Sequence, residues 1–505
     1  MHEKMSENNE DQQSMAFRDF YPVNPPFGFV GIEINDERRS LMYHTVEPTL
    51  TDEEDALLDR IKKILIDRMN VPLDVLRDSE KMEEYLRDDI QKLFKRFERD
   101  IPKESEDKFI YYLKRDFLGY GKIDLLIRDE NIEDISCNGY NTPIYVWHRN
   151  YESIPTNIIY KSPEELDRTV IRLAYRSGRQ VSISHPIMEG TLPEGFRVQI
   201  TLEEVSKRGD TFTIRKFREN PFTIIDLIKY GTLSAEIAAY LWLLVEHGRS
   251  IMICGATASG KTTLLNSLSM FIKPEMKVVT IEEVRELRLH ENWIPMVPRP
   301  SYQPGVTEIT LFDLLKSALR QRPDYIVVGE VRGEEAYTLF QAIATGHGGL
   351  CTIHSDSPEY AIKRLLSRPM NIPPMMVPLM NVLLQIRRVK IGEKVVRRSD
   401  TVTEIIGLSA TDQVQFEHRF KWDSIDDSYR FLESAGRGES VFKQIANLRH
   451  VPEFELEDEM KRRTKILEWM VNDNLNTYDE VSNIVHTYYV NPEEILTRAR
   501  FDEVD

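Results

Sequence analysis

Cysteine is scarce in this chain: Cys137, Cys254 and Cys351 are the only three in 505 residues, and they lie far apart. Neither a disulfide framework nor a four-cysteine zinc site can be assembled from them, which suits a reducing compartment. A basic excess is missing too, since 66 Lys and Arg stand against 83 Asp and Glu, a net charge of −17. A general nucleic-acid binder needs the opposite balance to neutralise phosphates, so that class is disfavoured, although a local basic groove stays open. Long apolar runs are lacking, the longest being Ile237 to Val245, too short to span a bilayer. The first fifteen residues, MHEKMSENNEDQQSM, are polar and acidic where a secretory signal would be apolar. Internal repeats and low-complexity tracts are absent. The expectation is a cytoplasmic chain of about three to four domains.

Between these absences the chain is well patterned. Residues 1–107 read as a polar tip, some short extended structure and then charged helices. Thr51 or Asp52 can cap a run in which Leu57, Ile61, Leu65 and Met69 recur every fourth position, and a second helical segment spans roughly Ser79 to Arg99. Residues 108–217 read as a small α+β domain. Leu125-Leu126-Ile127, Ile132 to Ile135 and Ile144 to Trp147 are strand-like, and Ser162 with Glu165 opens a helix. Residues 218–233 form a linker around Pro221. In 234–405 short apolar strands alternate with helices, which implies a parallel sheet covered on both faces. Residues 406–505 read as a mostly helical extension, with helices near Lys461–Val471 and Tyr478–Tyr488.

The sharpest motif is Gly255-Ala256-Thr257-Ala258-Ser259-Gly260-Lys261-Thr262, which fits G-x-x-x-x-G-K-[ST] between an apolar strand and a helix-forming run. Such a loop aims backbone N–H groups at phosphate oxygens, and the helix that follows adds the positive end of its dipole. Lys261 is placed to reach the β and γ oxygens of ATP, and the Thr262 hydroxyl to ligate Mg2+. Two later strands deliver carboxylates. Tyr325 to Val328 ends at Gly329-Glu330, where a carboxylate can orient water or meet Mg2+ through water. Val278 to Ile281 ends at Glu282 and Glu283, with Glu286 one turn on. Strand ends of this kind face the ligand in open α/β sheets. Arg285 and Arg288 offer a plainer reading, in which the acidic cluster is only ion-paired.

These residues resemble the secretion-ATPase superfamily, the motors of type II secretion, type IV pili, archaella and type IV secretion, and they fit its archaeal branch best. Four boxes occur in the family's order: GATASGKTT, VTIEEVREL, LRQRPDYIVVGEVRG and TGHGGLCTIHS. Glu283 stands where the usual pattern has aspartate, and Gly333 stands where it has another. The resemblance implies a RecA-like P-loop NTPase domain and extends nucleotide binding to Thr263. It also implies that His347, His354 and Arg320 sense nucleotide state near the γ-phosphate. His347, Cys351 and His354 could alternatively suggest a metal site, but Gly348-Gly349 and the following apolar run favour turn and strand, and no fourth ligand is near. The α+β domain resembles the family's N-terminal domain, which supplies arginines to the nucleotide; the candidates are Arg179, Arg197, Arg208 and Arg215, with Arg197 and Arg215 foremost.

The expected activity is Mg2+-dependent ATP hydrolysis by a homo-oligomeric ring, a hexamer by resemblance, at the cytoplasmic face of a membrane. The expected partner is a polytopic membrane platform protein, docked through residues 1–107, with no stable nucleic-acid partner. A DNA-translocating ring ATPase and a P-loop phosphotransferase or nucleotide-gated scaffold are the rival readings.

Overall fold

A computed structural model describes residues 17–35, 40–68, 102–217, 221–299, 307–392, 394–433 and 439–499. The chain divides into two units, Met1–Arg218 and Glu219–Asp505, each built on its own nine-stranded sheet.

In the first unit the strands are β1 (Asp19–Asn24), β2 (Gly28–Asn35), β3 (Ser40–Val46), β4 (Ile132–Cys137), β5 (Pro143–His148), β6 (Glu152–Ile159), β7 (Ile187–Thr191), β8 (Arg197–Thr201) and β9 (Thr211–Arg215). Their order across the sheet is β1-β2-β3-β6-β5-β4-β9-β8-β7. Alternating residues such as Ile144, Val146, Val198, Ile200, Phe212 and Ile214 meet Leu166, Val170 and Leu173 of the helix Pro163–Arg176 in one core. That helix starts as its sequence predicts: the Ser162 hydroxyl accepts the Glu165 N–H at 3.3 Å. The Glu165 carboxylate accepts the Lys161 N–H, one residue earlier than a reciprocal capping box requires.

Two expectations change here. Residues 1–107 are expected to be mostly helical beyond short extended pieces, yet β1, β2 and β3 form a three-stranded antiparallel meander. It joins the main sheet through a single parallel bridge, Tyr43 to Thr156. The Tyr21 and Tyr43 hydroxyls both donate to the buried Asp129 Oδ2 at 2.7 Å, so one carboxylate pins the meander down. Leu125-Leu126-Ile127 is not a strand but lies in a short helix, Asp124–Arg128, which Asp124 staples by accepting from the Tyr120 N–H and from Arg128 Nε. The helix from Thr51 does form, as Asp52–Arg68, and packs Leu58, Ile61 and Leu65 against Phe109 and Leu113. The second helical segment expected at Ser79 to Arg99 lies outside the described residues.

The second unit holds β10 (Ile251–Gly255), β11 (Val278–Ile281), β12 (Trp293–Met296), β13 (Tyr325–Val328), β14 (Gly348–His354), β15 (Val382–Ile391), β16 (Lys394–Leu408), β17 (Val414–Asp423) and β18 (Ser428–Phe431). Their order is β12-β11-β13-β14-β10-β15-β16-β17-β18. The first six are mutually parallel. Their apolar runs bury both faces: Ile251 and Ile253 enter one core, Met252 and Cys254 the other. The wholly parallel sheet expected over 234–405 is thus extended by an antiparallel meander, β15 to β18, which carries strand structure into the C-terminal region expected to be mostly helical. Helices Val441–Arg449, Glu453–Asn472, Tyr478–Val490 and Pro492–Arg498 complete the unit. Among the described residues no helix is long and apolar enough to cross a membrane.

Candidate functional site

Because β11, β13, β14 and β10 are adjacent and parallel, the residues that follow each of them emerge along one edge of the sheet. After β10 comes the loop Gly255–Gly260, leading directly into the helix Lys261–Ser269. Gly255 has no alternative, since a Cβ there would stand 2.5 Å from the Ile386 carbonyl oxygen and 2.6 Å from Ser259 Oγ. Gly260 caps the helix at φ 97°, and Ala258 also takes a left-handed conformation, at φ 58°. Ala256, Thr257 and Ala258 are exposed, whereas Lys261, Thr262 and Thr263 are half-buried in the first helical turn. Lys261 Nζ donates to the Ala256 carbonyl at 2.9 Å and so spans the loop. Burial lowers its pKa, against the opposing pull of Glu330. The Ser259 hydroxyl is buried with no partner. A cradle closed to side chains, an unpaired buried hydroxyl and an ammonium resting on the loop's own carbonyl all fit a phosphate ligand.

Glu330 follows β13 and is half-buried. Its carboxylate meets Arg332 at 2.8 Å, and the same guanidinium meets Glu283 at 2.8 Å. Burial would raise the Glu330 pKa, but the hydrogen bond and charge of Arg332, with Lys261 and His354, hold it below the ordinary carboxylate range. Arg332, which the motif reading passed over, is therefore the cation that joins the two acidic boxes. Its sequence signal is its place two residues after Glu330. Arg285, whose charge also acts on Glu282, lies over the Trp293 ring, and Arg288 over the Tyr478 ring.

The acidic cluster is split. Glu283 faces Arg332, while Glu282 turns inward, 3% exposed, and accepts the N–H groups of Glu286 and Leu287 at 3.0 and 3.1 Å. Adjacent residues leaving a strand point to opposite sides, so the two glutamates cannot share one role. Burial pushes Glu282 up to about 7, and its Oε2 has no partner. Gly333, where the family pattern has aspartate, has a neighbour that fills the gap. A Cβ on Gly333 would lie 3.0 Å from Glu335 Oε2, and Glu335 Oε1 accepts the N–H groups of Arg332 and Gly333 at 2.6 and 2.7 Å.

The two histidines are separated. His354 ends β14 and pairs in register with Gly255, inside the site. His347 precedes Gly348 at the other end of the same strand, and across a strand of this length the two are on the order of 20 Å apart. Arg320, which ends the helix Leu311–Leu319 ahead of β13, also belongs to the amino-terminal edge. His347 and Arg320 therefore do not meet the P-loop of their own chain. Cys351 lies between the histidines in the core, and among the described residues no three acidic, histidine or cysteine side chains converge on a metal position. Beside His354 a cavity of about 410 Å³ is lined by Asp356, Tyr360, Lys363 and Arg364. Arg197 and Arg215 lie in the first unit, directly opposed on β8 and β9. Arg197 pairs with Glu189, and Arg215 Nε donates to Asp134 at 2.9 Å.

Residues 126–437 match the family model described as Type II/IV secretion system protein. The chain is 36% identical to Uncharacterized protein MJ0900 of Methanocaldococcus jannaschii, over 93% of this chain and 88% of that one. It is 34% identical to Type IV secretion system protein PtlH of Bordetella pertussis, over 39% of this chain and 65% of that one. Among solved structures, the VirB11 ATPase of the Brucella suis type IV secretion system aligns with 58% of this chain and 93% of its own, at 24% identity and a TM-score of 0.29.

Proposed function

From the premise that this chain belongs to the type II/IV secretion system protein family, as an archaeal-type member, we propose that it is a RecA-like, Mg2+-dependent ATPase working as a ring motor on a membrane secretion or filament-assembly complex. One observation carries the enzymatic part: the P-loop after β10 and Glu330 after β13, whose pKa Arg332 holds down, emerge at the same edge of one parallel sheet. The loop N–H groups from Ala256 to Lys261 bind the phosphate chain. Lys261 exchanges the Ala256 carbonyl for phosphate oxygens. Glu330, kept anionic, accepts a hydrogen bond from the attacking water and holds it in line. The Thr262 hydroxyl, and Glu330 through water, would hold Mg2+, whose charge would neutralise the phosphates. His354, next to Gly255 in register, is placed to pass nucleotide state into β14.

The coupling part rests on the family and on the candidate arginines. Arg197 and Arg215 belong to the first unit and the P-loop to the second, and each arginine pairs with a carboxylate of its own unit; in this reading they act on the nucleotide through domain closure or from a neighbouring subunit. A homohexameric ring with a polytopic membrane platform partner and residues 1–107 as docking element completes this reading. The net charge of −17 favours it over DNA translocation.

The test is phosphate release by the full chain with Mg2+ and ATP. Lys261→Ala and Glu330→Gln are each expected to lower turnover by ~10²-fold or more. Only the lysine variant should also lose nucleotide binding. Turnover within twofold of wild type in both variants would end the proposal, and stimulation by DNA but not by phospholipid would shift it to the translocase.

A further inference from the structure

The hairpin of β15 and β16 runs past the P-loop and is strongly basic. Its ladder sets Arg387 opposite Arg398 and Arg388 opposite Arg397. Like charges directly opposed across strands destabilise a sheet unless something neutralises them. Arg387 has Asp400 at 3.4 Å, and Arg398 has Asp427 at 2.7 Å. Arg397 has no such partner: its guanidinium forms no hydrogen bond or ion pair among the described residues, although the residue is half-buried. Its position is specific. A Cβ built on Gly260 would stand 3.5 Å from Ile386 Cδ1 and 3.9 Å from Arg397 Cγ, so the stem of Arg397 runs alongside the glycine that opens the phosphate-binding helix.

We infer that Arg397 is a second cation for the nucleotide's phosphate chain, reaching it from the antiparallel hairpin on the side of the loop opposite β14. This rests on the P-loop binding a nucleotide. β15 pairs with β10 through Ile251 to Cys254, which fixes the hairpin's register against the loop. The residues that follow, Ile386 and its cross-strand neighbours, are thereby carried to the loop's flank. An unpaired arginine held beside an anion cradle lowers the cost of its own like-charge pairing when a phosphate arrives. The chemistry selects a polyphosphate rather than a base, because the stem of Arg397 runs beside Gly260, the glycine that opens the phosphate-binding helix.

The experiment is titration of the full chain with a fluorescent ATP analogue, followed by displacement with inorganic tripolyphosphate. Arg397→Ala is expected to weaken both ligands alike by about tenfold, the scale of one charge-assisted hydrogen bond. Arg397→Lys should recover part of the loss. Arg397→Gln keeps the bulk beside Gly260 and should behave as the alanine variant does, with an unchanged melting temperature, which separates charge from folding. Wild-type affinity in Arg397→Gln, alongside lost binding in Lys261→Ala, would overturn the assignment and leave the P-loop reading intact. Loss of analogue affinity with unchanged tripolyphosphate affinity would overturn it in favour of a base contact. Absence of binding by the wild type would overturn both readings together.

Discussion

Arg332 bridges Glu283 and Glu330, and through them two strands that are neighbours in the sheet. The pair of contacts is half-exposed, so its contribution is to position rather than to stabilise. Glu282 is the contrasting residue: buried, hydrogen-bonded to backbone, and raised to about 7 because burial disfavours its charge. An acid whose folded pKa is raised stabilises the fold below its unfolded pKa and loses that contribution as pH climbs through the folded value. Here the window runs from about 4.5 to about 7. Glu282→Gln keeps an acceptor for the Glu286 and Leu287 N–H groups and removes the charge. Its melting temperature is expected to exceed wild type by about 2–6 °C at pH 8, with the difference closing towards pH 4. Thermal melts at the two pH values decide it; an equal or lower melting temperature at pH 8 would remove the buried-acid account.

Secondary elements show where local sequence suffices and where it does not. The P-loop was legible because its constraints are local: Gly255 and Gly260 meet steric or dihedral limits set within the loop and one neighbouring strand. Glu330 was legible because a four-residue apolar strand fixes where its successor emerges. The inward turn of Glu282 was not, since it depends on the N–H groups of residues further along the chain. His347 and His354 share one box, yet a strand between them sets them at opposite ends. Leu125-Leu126-Ile127 is too short to display either period, so the Asp124 staple decides its state. The docking of helix Glu453–Asn472 was equally invisible. Arg463, 3% exposed, is held between Glu246 and Glu459 and lies over the Trp242 ring. Removing one member of a buried pair leaves the other charge stranded, although Lys273 at 3.2 Å still attends Glu246. Arg463→Ala should therefore destabilise the second unit by about 3 kcal/mol, near the low end for a broken buried pair. Arg463→Met, which restores packing on Trp242, should recover part of that. Denaturant unfolding of the full chain reads both; a cost below ~1 kcal/mol for the alanine variant would show the pair to be dispensable.

At the scale of the whole molecule, what sets activity is how complete the site of a single subunit is. Lys261, Glu330 and His354 assemble within one unit, but the candidate arginines of the other unit are tied to their own carboxylates, Glu189 and Asp134. A positive group that reaches the γ-phosphate only from elsewhere contributes ~10³–10⁵ in rate, so a lone subunit is expected to be a slow enzyme. If a neighbour completes each site, activity and assembly must rise together. Particle mass with a non-hydrolysable ATP analogue is then expected to approach six times the chain's 59.1 kDa, and turnover per subunit to increase with protein concentration. Mixing supplies the decisive arm. A Lys261→Ala subunit has a dead P-loop and intact arginines, whereas an Arg215→Ala subunit has the converse. Each alone should be nearly inactive, yet their mixture should regain a measurable fraction of wild-type turnover, because some interfaces then join a sound P-loop to a sound arginine. Turnover independent of concentration, together with no recovery on mixing, would place Arg215 either within its own chain's site or outside the chemistry altogether.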